Sequence, residues 1–148
     1  MIVLDANILI RAVLGRRARH ILESYGEAGI RFFIPDAMLA ETEKHLPKLL
    51  DKVSRPASEA IASLDYLKEI VEVVTRDSYV SHEFEARQLL RGRDEDDWQV
   101  LAAALALNCP IWTEDTDFFG TGAAVWTTKN IEIYLKAQLR SAEPRDEE

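Results

Sequence analysis

Residues 1–10 read MIVLDANILI, and this stretch indicates the class of fold. Residues 1–4 are apolar in succession, which predicts a short strand that is buried on both faces, as strands of parallel sheets are. Asp5 ends this strand and is of a type that caps helices, and a helix is predicted from Ile8 onward. An aspartate at the carboxyl end of a parallel strand also lies where open α/β sheets bind their ligands. Asp5 therefore has two interpretations, a helix cap and a functional group.

The alternation of strand and helix continues along the chain. Further strands are predicted at residues 30–35, 71–75, 109–113 and 123–127, and helices at 8–14, 18–28, 36–51, 57–70, 78–90, 98–107 and 129–140. Pro47 is predicted to kink or split the helix at 36–51. Strands that alternate with helices predict an α/β fold with a central, mostly parallel sheet of four or five strands and helices on both faces.

Length and composition describe one globular domain. The chain has 148 residues, of which 47% are apolar and 30% charged, as is usual for a domain with its own core. We assign residues 1–140 to this domain and residues 141–148 to an acidic, disordered tail. The tail, SAEPRDEE, carries four acids and one arginine, and the formal net charge of the whole chain is -8. Because the tail holds part of that charge, net charge does not exclude a nucleic-acid partner.

The sequence also favours a cytoplasmic location. No apolar stretch approaches the ~20 residues of a membrane-spanning helix, so no membrane partner is expected. The amino terminus lacks the basic region and cleavage site of a secretory signal. The single cysteine, Cys109, can form no disulfide within the chain.

Acidic residues gather at one predicted edge of the sheet, where strands end and helices begin. The seven acids are Asp5, Glu41, Asp96, Asp97, Glu114, Asp115 and Asp117. Two carboxylates at 4 Å repel each other by about 1 kcal/mol in water and by about 4 kcal/mol at an effective dielectric near 20. A group of acids at one edge therefore requires a cation or protons for compensation.

The residue types favour one class of cation. Carboxylate oxygens without clustered histidine or cysteine are typical of Mg²⁺ or Mn²⁺ sites. His20, His45 and His82 are scattered in the sequence and Cys109 has no second cysteine, which disfavours zinc.

Each acid also has an ordinary structural interpretation. Asp96 or Asp97 can serve as a dipole partner at the start of the helix at 98–107. Asp115 and Asp117 can be turn residues, and Glu41 can be a solvated surface side chain. Because all these acids are expected at the same edge of the sheet, one metal site explains them better than a separate structural role for each.

Four stretches of the chain resemble the PIN domain, the nuclease fold that includes the VapC toxins of bacterial toxin–antitoxin pairs. They are VLDANIL (3–9), PDAMLAETEKHL (35–46), DEDDWQVLAAALAL (94–107) and PIWTEDTDFFGTG (110–122). The resemblance covers about residues 1–130. It implies a PIN-like three-layer sandwich, a metal-dependent endoribonuclease activity and a role as the toxin of a type II pair.

The resemblance also implies roles for individual residues. The metal-binding acids correspond to Asp5, Glu41, Asp97 and Asp115, with Asp117 as a further member, while Asn7, Asp96 and Thr113 stand beside the site. Asp5 and Asp97 are assigned as direct ligands of Mg²⁺ or Mn²⁺, and Asp115 as a ligand that is direct or bridged by water. Glu41 is assigned to orient or help deprotonate the attacking water. The expected products carry a 5′-phosphate and a 3′-hydroxyl.

Three partners are expected. RNA is the substrate, and Arg11, Arg16, Arg17 and Arg91 are candidates for contacts with its phosphates, as are Arg87 and Arg93. An antitoxin protein and a second copy of the chain are the other two partners, with the amphipathic helix at 57–70 as the surface that receives one of them. The arginines also have an ordinary interpretation, because basic runs are more often solvated helix faces than binding sites.

Other functions fit part of the sequence. A haloacid dehalogenase-like phosphatase also begins with a strand followed by aspartate, but it needs a second aspartate where this chain has Asn7. A receiver domain needs a phosphorylated aspartate after its third strand, which the stretch VEVVT does not supply. A PIN-fold module that binds nucleic acid or protein without catalysis is the third alternative.

Overall fold

The computed structural model describes residues 1–144, and within this range the chain forms five strands and eight α-helices. The strands are β1 (Ile2–Leu4), β2 (Phe32–Pro35), β3 (Val71–Val74), β4 (Ile111–Trp112) and β5 (Val125–Trp126). The α-helices are α1 (Ala6–Leu14), α2 (Arg17–Glu27), α3 (Asp36–Val53), α4 (Ala57–Ile70), α5 (Arg76–Tyr79), α6 (Glu83–Leu89), α7 (Trp98–Leu107) and α8 (Ile131–Ala142). Short 3₁₀ helices occupy Val80–His82, Glu95–Asp97 and Thr116–Phe118.

All five strands form one parallel sheet in the order β3-β2-β1-β4-β5. The chain starts at the central strand β1, builds the sheet outward to β3, and then crosses to β4 on the other side of β1. Open α/β sheets bind ligands beside the carboxyl ends of strands at such a reversal. The parallel sheet with flanking helices confirms the predicted fold class.

The core explains why the central strand is apolar throughout. Ile2, Val3 and Leu4 are each 0% exposed, because β1 has neighbours on both sides and helices cover it. Helix α7 packs on β1, β2 and β4, and its residues from Val100 to Ala103 have no exposed surface. An apolar helix in this position places its amino-terminal end, and with it Asp97, next to the carboxyl edge of the sheet.

Two predicted helices differ from the structure. Pro47 lies inside α3, which continues to Val53, so the predicted split at this proline is wrong. The single helix predicted at 78–90 is also wrong, because it is divided into α5, the 3₁₀ helix Val80–His82 and α6. The division falls at Tyr79, whose φ of -123° lies outside the helical region while its ring is buried and its hydroxyl donates to Asp36 at the start of α3.

The end of the chain is partly described. Helix α8 runs to Ala142, so the first two residues of the predicted tail at 141–148 are helical. Residues 145–148, the remainder of that prediction, lie outside the described residues. Within the described range, no helix combines the length and the apolar character needed to cross a bilayer.

Candidate metal centre

Asp5 is fixed by the sheet and by its own carboxylate. Its backbone N–H donates to the Trp112 carbonyl over 3.1 Å, which extends the pairing of β1 with β4. Its Oδ1 accepts from the Ala6 N–H at 2.7 Å and so caps α1. Its Oδ2 accepts from Thr113 Oγ1 at 2.8 Å and from Asn7 Nδ2 at 3.2 Å. Asp5 is therefore both a helix cap and a buried acid at the carboxyl edge of the sheet.

The segment after β4 is organised around Thr113. Its Oγ1 accepts from the Asp115 N–H at 2.9 Å, and Asp115 Oδ1 in turn accepts from the Asp117 N–H at 2.9 Å. The second bond caps the 3₁₀ helix Thr116–Phe118. Both aspartates are half-buried. The backbone of this segment thus holds the Asp115 carboxylate close to the Thr113 hydroxyl that also binds Asp5.

Glu114 has a different environment from its neighbour Asp115. Its Oε1 accepts from the Thr128 N–H at 2.8 Å, on the segment between β5 and α8. Its backbone N–H donates to Asn7 Oδ1 at 3.3 Å. Glu114 therefore ties the β4 and β5 ends together, and its carboxylate is engaged in that contact.

Asp97 is the acid whose protonation is most altered. It closes the 3₁₀ helix Glu95–Asp97 and precedes α7. The pKa of Asp97 is raised to about 7: burial is the largest cause, and the negative charges of Asp5, Asp94, Glu41 and Asp115 contribute in that order. These acids consequently share one electrostatic environment, although they come from four separate parts of the chain.

The pKa of Asp5 is also raised, by burial and by the neighbouring acids. Burial is the largest cause that raises its pKa, and the charges of Asp115 and Glu41 add to it. The hydrogen bonds from Thr113 and from the Ala6 N–H act in the opposite direction, because they stabilise the ionised carboxylate. Burial outweighs them, so negative charge at this site is only partly compensated by the protein.

A cleft of about 440 Å³ opens beside Asp97. Its wall on α3 includes Glu41, Lys44 and His45, and the His45 Nε2 lies 3.7 Å from Glu41 Oε1. The opposite wall includes Asp94 and Asp96. The Asp96 side chain is exposed and its N–H donates to Asp94 Oδ1 at 3.0 Å, so this pair shapes the turn into the Asp97 helix.

Asp94 was not among the residues expected at the site. It caps the 3₁₀ helix Glu95–Asp97 and its charge raises the pKa of Asp97. The spacing of Asp94 and Asp96 is the usual one for an aspartate that accepts from the N–H two residues later. This spacing is the sequence signal that could have identified Asp94 as a capping residue within the polar loop.

The donor chemistry fits a hydrated divalent cation. Within residues 1–144, no three acidic, histidine or cysteine side chains are close enough to form a ready-made ligand cage. Mg²⁺ retains several waters and is held by one or two carboxylates together with substrate phosphates, so it does not need such a cage. Burial is the largest cause of the raised pKa of Asp5 and of Asp97, and the neighbouring negative charges that add to it are ones that a divalent cation would neutralise.

The predicted arginines differ in their surroundings. Arg11, Arg16, Arg17 and Arg91 are exposed, and Arg17 Nη2 lies 3.5 Å from the Thr128 carbonyl. The remaining two have protein partners. Arg87 lies over the Trp98 ring and 3.7 Å from Glu83, and Arg93 donates to backbone carbonyls.

Comparisons with known proteins agree with this fold. A family model described as PIN domain matches residues 3–136, which include all the acids of the site. VapBC2 of Rickettsia felis, solved bound to a DNA fragment from its promoter, superposes with a TM-score of 0.67 at 19% identity, covering 86% of this chain and 98% of the other. PAE2754 of Pyrobaculum aerophilum superposes with a TM-score of 0.66 at 16% identity, covering 93% and 90%. No curated protein sequence matches significantly. PIN domains are generally nucleases, and this chain belongs to the PIN domain family.

Proposed function

We propose that this chain is a Mg²⁺-dependent endoribonuclease and the toxin of a type II toxin–antitoxin pair. The observation that carries the proposal is the shared electrostatic environment of Asp5, Glu41, Asp97 and Asp115 at the reversal point of the sheet. Burial and these neighbouring charges raise the pKa of Asp97 to about 7, and perturbed carboxylates gathered in a cleft are typical of functional sites. Mn²⁺ is expected to support the same activity in place of Mg²⁺, because both ions prefer oxygen ligands.

Each acid has a role in this proposal. A bound Mg²⁺ ion would supply an activated water and neutralise charge on the phosphoryl oxygens. Asp5 and Asp97 would hold the ion, Asp115 would hold it directly or through water, and Asp117 would add to the ligand set. Glu41, on the cleft wall opposite Asp94, orients the attacking water and accepts its proton. Water would add at phosphorus while Glu41 takes its proton, and the bond to the 3′ oxygen would break. That oxygen would take up a proton from solvent, which leaves a 5′-phosphate and a 3′-hydroxyl.

The surroundings of Asp5 disfavour the phosphatase alternative. That chemistry needs an acid two residues after the first aspartate, and Asn7 occupies the position. The Asn7 amide donates to Asp5 Oδ2 and to Thr113 Oγ1, each at 3.2 Å, so it orients the carboxylate, and an amide cannot serve as a general acid or base at neutral pH. The exposed arginines Arg11, Arg16, Arg17 and Arg91 are the proposed contacts for RNA phosphates.

Two protein partners belong to the proposal. The likeness to VapBC2 supports an antitoxin as one of them. A second copy of the chain is the other, and Ile61, 58% exposed on α4, is the apolar residue that such a contact would cover. Light scattering on the purified chain and on Ile61→Glu tests this: a wild-type dimer that the variant converts to a monomer supports the contact, and a wild-type monomer contradicts it.

Cleavage of a mixed RNA pool tests the activity. The purified chain is incubated with Mg²⁺, with Mn²⁺ and with EDTA, with a single-stranded DNA pool in parallel. Asp97→Asn is the test variant, and Asp51→Asn, an exposed aspartate on α3, is the matched control. We expect metal-dependent cleavage of RNA that Asp97→Asn abolishes and Asp51→Asn retains. Folded protein that binds Mn²⁺ and RNA but cleaves neither pool would favour the non-catalytic binding module.

A further inference from the structure

Arg93 connects two segments that carry acids of the candidate centre. It lies on the exposed loop that leads into Asp97, and its Nη1 donates to the Asp117 carbonyl at 2.7 Å. The same nitrogen donates to the Phe119 carbonyl. Both acceptors belong to the turn that follows Asp115. One guanidinium thus joins the Asp97 loop to the turn after β4, across 24 residues of sequence.

The contact continues to Asp5 through hydrogen bonds already described. Asp117, whose carbonyl Arg93 holds, donates its N–H to Asp115 Oδ1. Asp115 donates its N–H to Thr113 Oγ1, and that hydroxyl donates to Asp5 Oδ2. Hydrogen bonds that are joined through residues 115 and 117 therefore connect the loop before Asp97 to the acid at the end of β1.

The local backbone is suited to the contact. Gly120 has φ +81° and begins the reversal of the turn directly after Phe119, a conformation that other residues adopt only with strain. A Cβ at this position would lie 3.4 Å from Arg93 Nη2, so the guanidinium packs against the backbone of the turn. Gly92, with φ +82°, provides a matching reversal on the loop that carries Arg93.

We propose that Arg93 is a positioning residue, which sets Asp115 and Asp117 at the correct distance from Asp97 for a divalent cation. This inference rests on the proposed metal-dependent function. Arg93 would act through the backbone of the turn and would touch neither the cation nor the substrate. Its Nη1 donates to carbonyls of the turn, which distinguishes it from the exposed Arg91 two residues earlier.

If Arg93 acted only through its charge, its removal would strengthen the binding of the cation. Loss of a positive charge beside a group of acids should strengthen the binding of a divalent cation, because less repulsion opposes the ion. If Arg93 positions the ligands, its loss weakens the binding, since the partners that orient metal ligands typically contribute 10- to 100-fold in affinity. The sign of the change therefore separates the two roles.

Titration of Mn²⁺ by electron paramagnetic resonance, on Arg93→Ala, Arg93→Lys and Arg91→Ala, measures that sign. We expect Arg93→Ala to bind Mn²⁺ about tenfold more weakly than wild type. Arg93→Lys keeps the charge and one donor, so its loss should be smaller. Arg91→Ala removes the same charge from the same loop, and we expect its affinity to be unchanged or slightly higher.

Hydrogen exchange on the metal-free proteins provides a second readout. The amides of Asp115 and Asp117 should exchange faster in Arg93→Ala than in wild type or Arg91→Ala, because the turn loses its anchor. Arg93→Ala that binds Mn²⁺ as tightly as wild type, or that leaves this exchange unchanged, would overturn the positioning role. A wild-type protein that binds no Mn²⁺ would instead overturn the proposed metal dependence, and the role of Arg93 with it.

Discussion

The hydroxyl of Thr113 donates to Oδ2 of Asp5 over 2.8 Å and so joins residues that are 108 positions apart in sequence. The same oxygen accepts from the Asp115 N–H and from Asn7 Nδ2, at 2.9 and 3.2 Å. A hydroxyl can donate once and accept twice, so Thr113 uses its full capacity. It is also 0% exposed, and water cannot replace any of these partners.

Thr113→Val should therefore destabilise the protein by about 1–3 kcal/mol, because it keeps the shape of the side chain but leaves buried polar groups unpaired. The pKa of Asp5 should also rise further, since the bond from Thr113 lowers it. Urea denaturation measures the first effect and carboxyl NMR the second. Thr113→Ser is the matched control, because it retains the hydroxyl. Equal stability of Thr113→Val and wild type would exclude this role for the hydroxyl.

Asp97 makes the stability of the metal-free protein depend on pH. The pKa of its carboxyl is about 7 in the folded chain, against an ordinary value of 3.8, so folding favours the protonated form. This contribution is present in full below pH ~4 and is lost as the pH rises through ~7. In EDTA, wild type should lose more stability than Asp97→Asn between pH 4.5 and pH 8. Parallel stability curves for the two proteins would contradict the raised pKa.

Mg²⁺ should reverse the effect of ionising Asp97. A ligand that binds only the folded state adds about 2.7 kcal/mol at a concentration 100 times its Kd. At pH 8, wild type should therefore melt at a higher temperature in Mg²⁺ than in EDTA, and Asp97→Asn should respond little. Calorimetry in both buffers checks this, with Asp51→Asn expected to behave as wild type. An equal gain in Asp97→Asn would place the ion elsewhere.

Glu114 should affect stability without affecting the cation. Its Oε1 accepts from the Thr128 N–H at 2.8 Å, and Gln in its place keeps an acceptor oxygen for that bond. Glu114→Gln should consequently bind Mn²⁺ as wild type does, whereas Glu114→Ala should be less stable by about 1 kcal/mol. Titration with Mn²⁺ tests the expected binding of both variants, and thermal melting tests their expected stability. Loss of Mn²⁺ binding in Glu114→Gln would make Glu114 a member of the ligand set.

The sequence predicted the sheet, and with it the edge at which the acids collect. The apolar run before Asp5, the apolar α7 and the order of elements were sufficient, because a parallel sheet brings the carboxyl ends of its strands to one side. The division between α5 and α6 was not predicted; it falls at Tyr79, whose hydroxyl contacts Asp36, 43 residues away, and a contact at that separation leaves no local sequence signal.

The orientation of individual side chains was the other part that the sequence could not provide. Glu114 and Asp115 are adjacent acids after the same strand, but Thr128 binds the first and Thr113 organises the second. Arg91 and Arg93 are alike in sequence, yet Arg93 alone of the two donates to Asp117 within the described residues. Each of these contacts depends on a loop whose position is known only once the sheet is assembled.

The pairing of β4 with β1 has a consequence during synthesis. A nascent chain that has left the ribosome only as far as residue 110 already contains Asp5, Glu41 and Asp97, but it lacks Thr113 and Asp115. The Asp5 carboxylate then has no partner from the second half of the sheet, and the group of acids around Asp97 is incomplete. The arrangement of acids at this edge of the sheet therefore forms only after most of the chain has been synthesised.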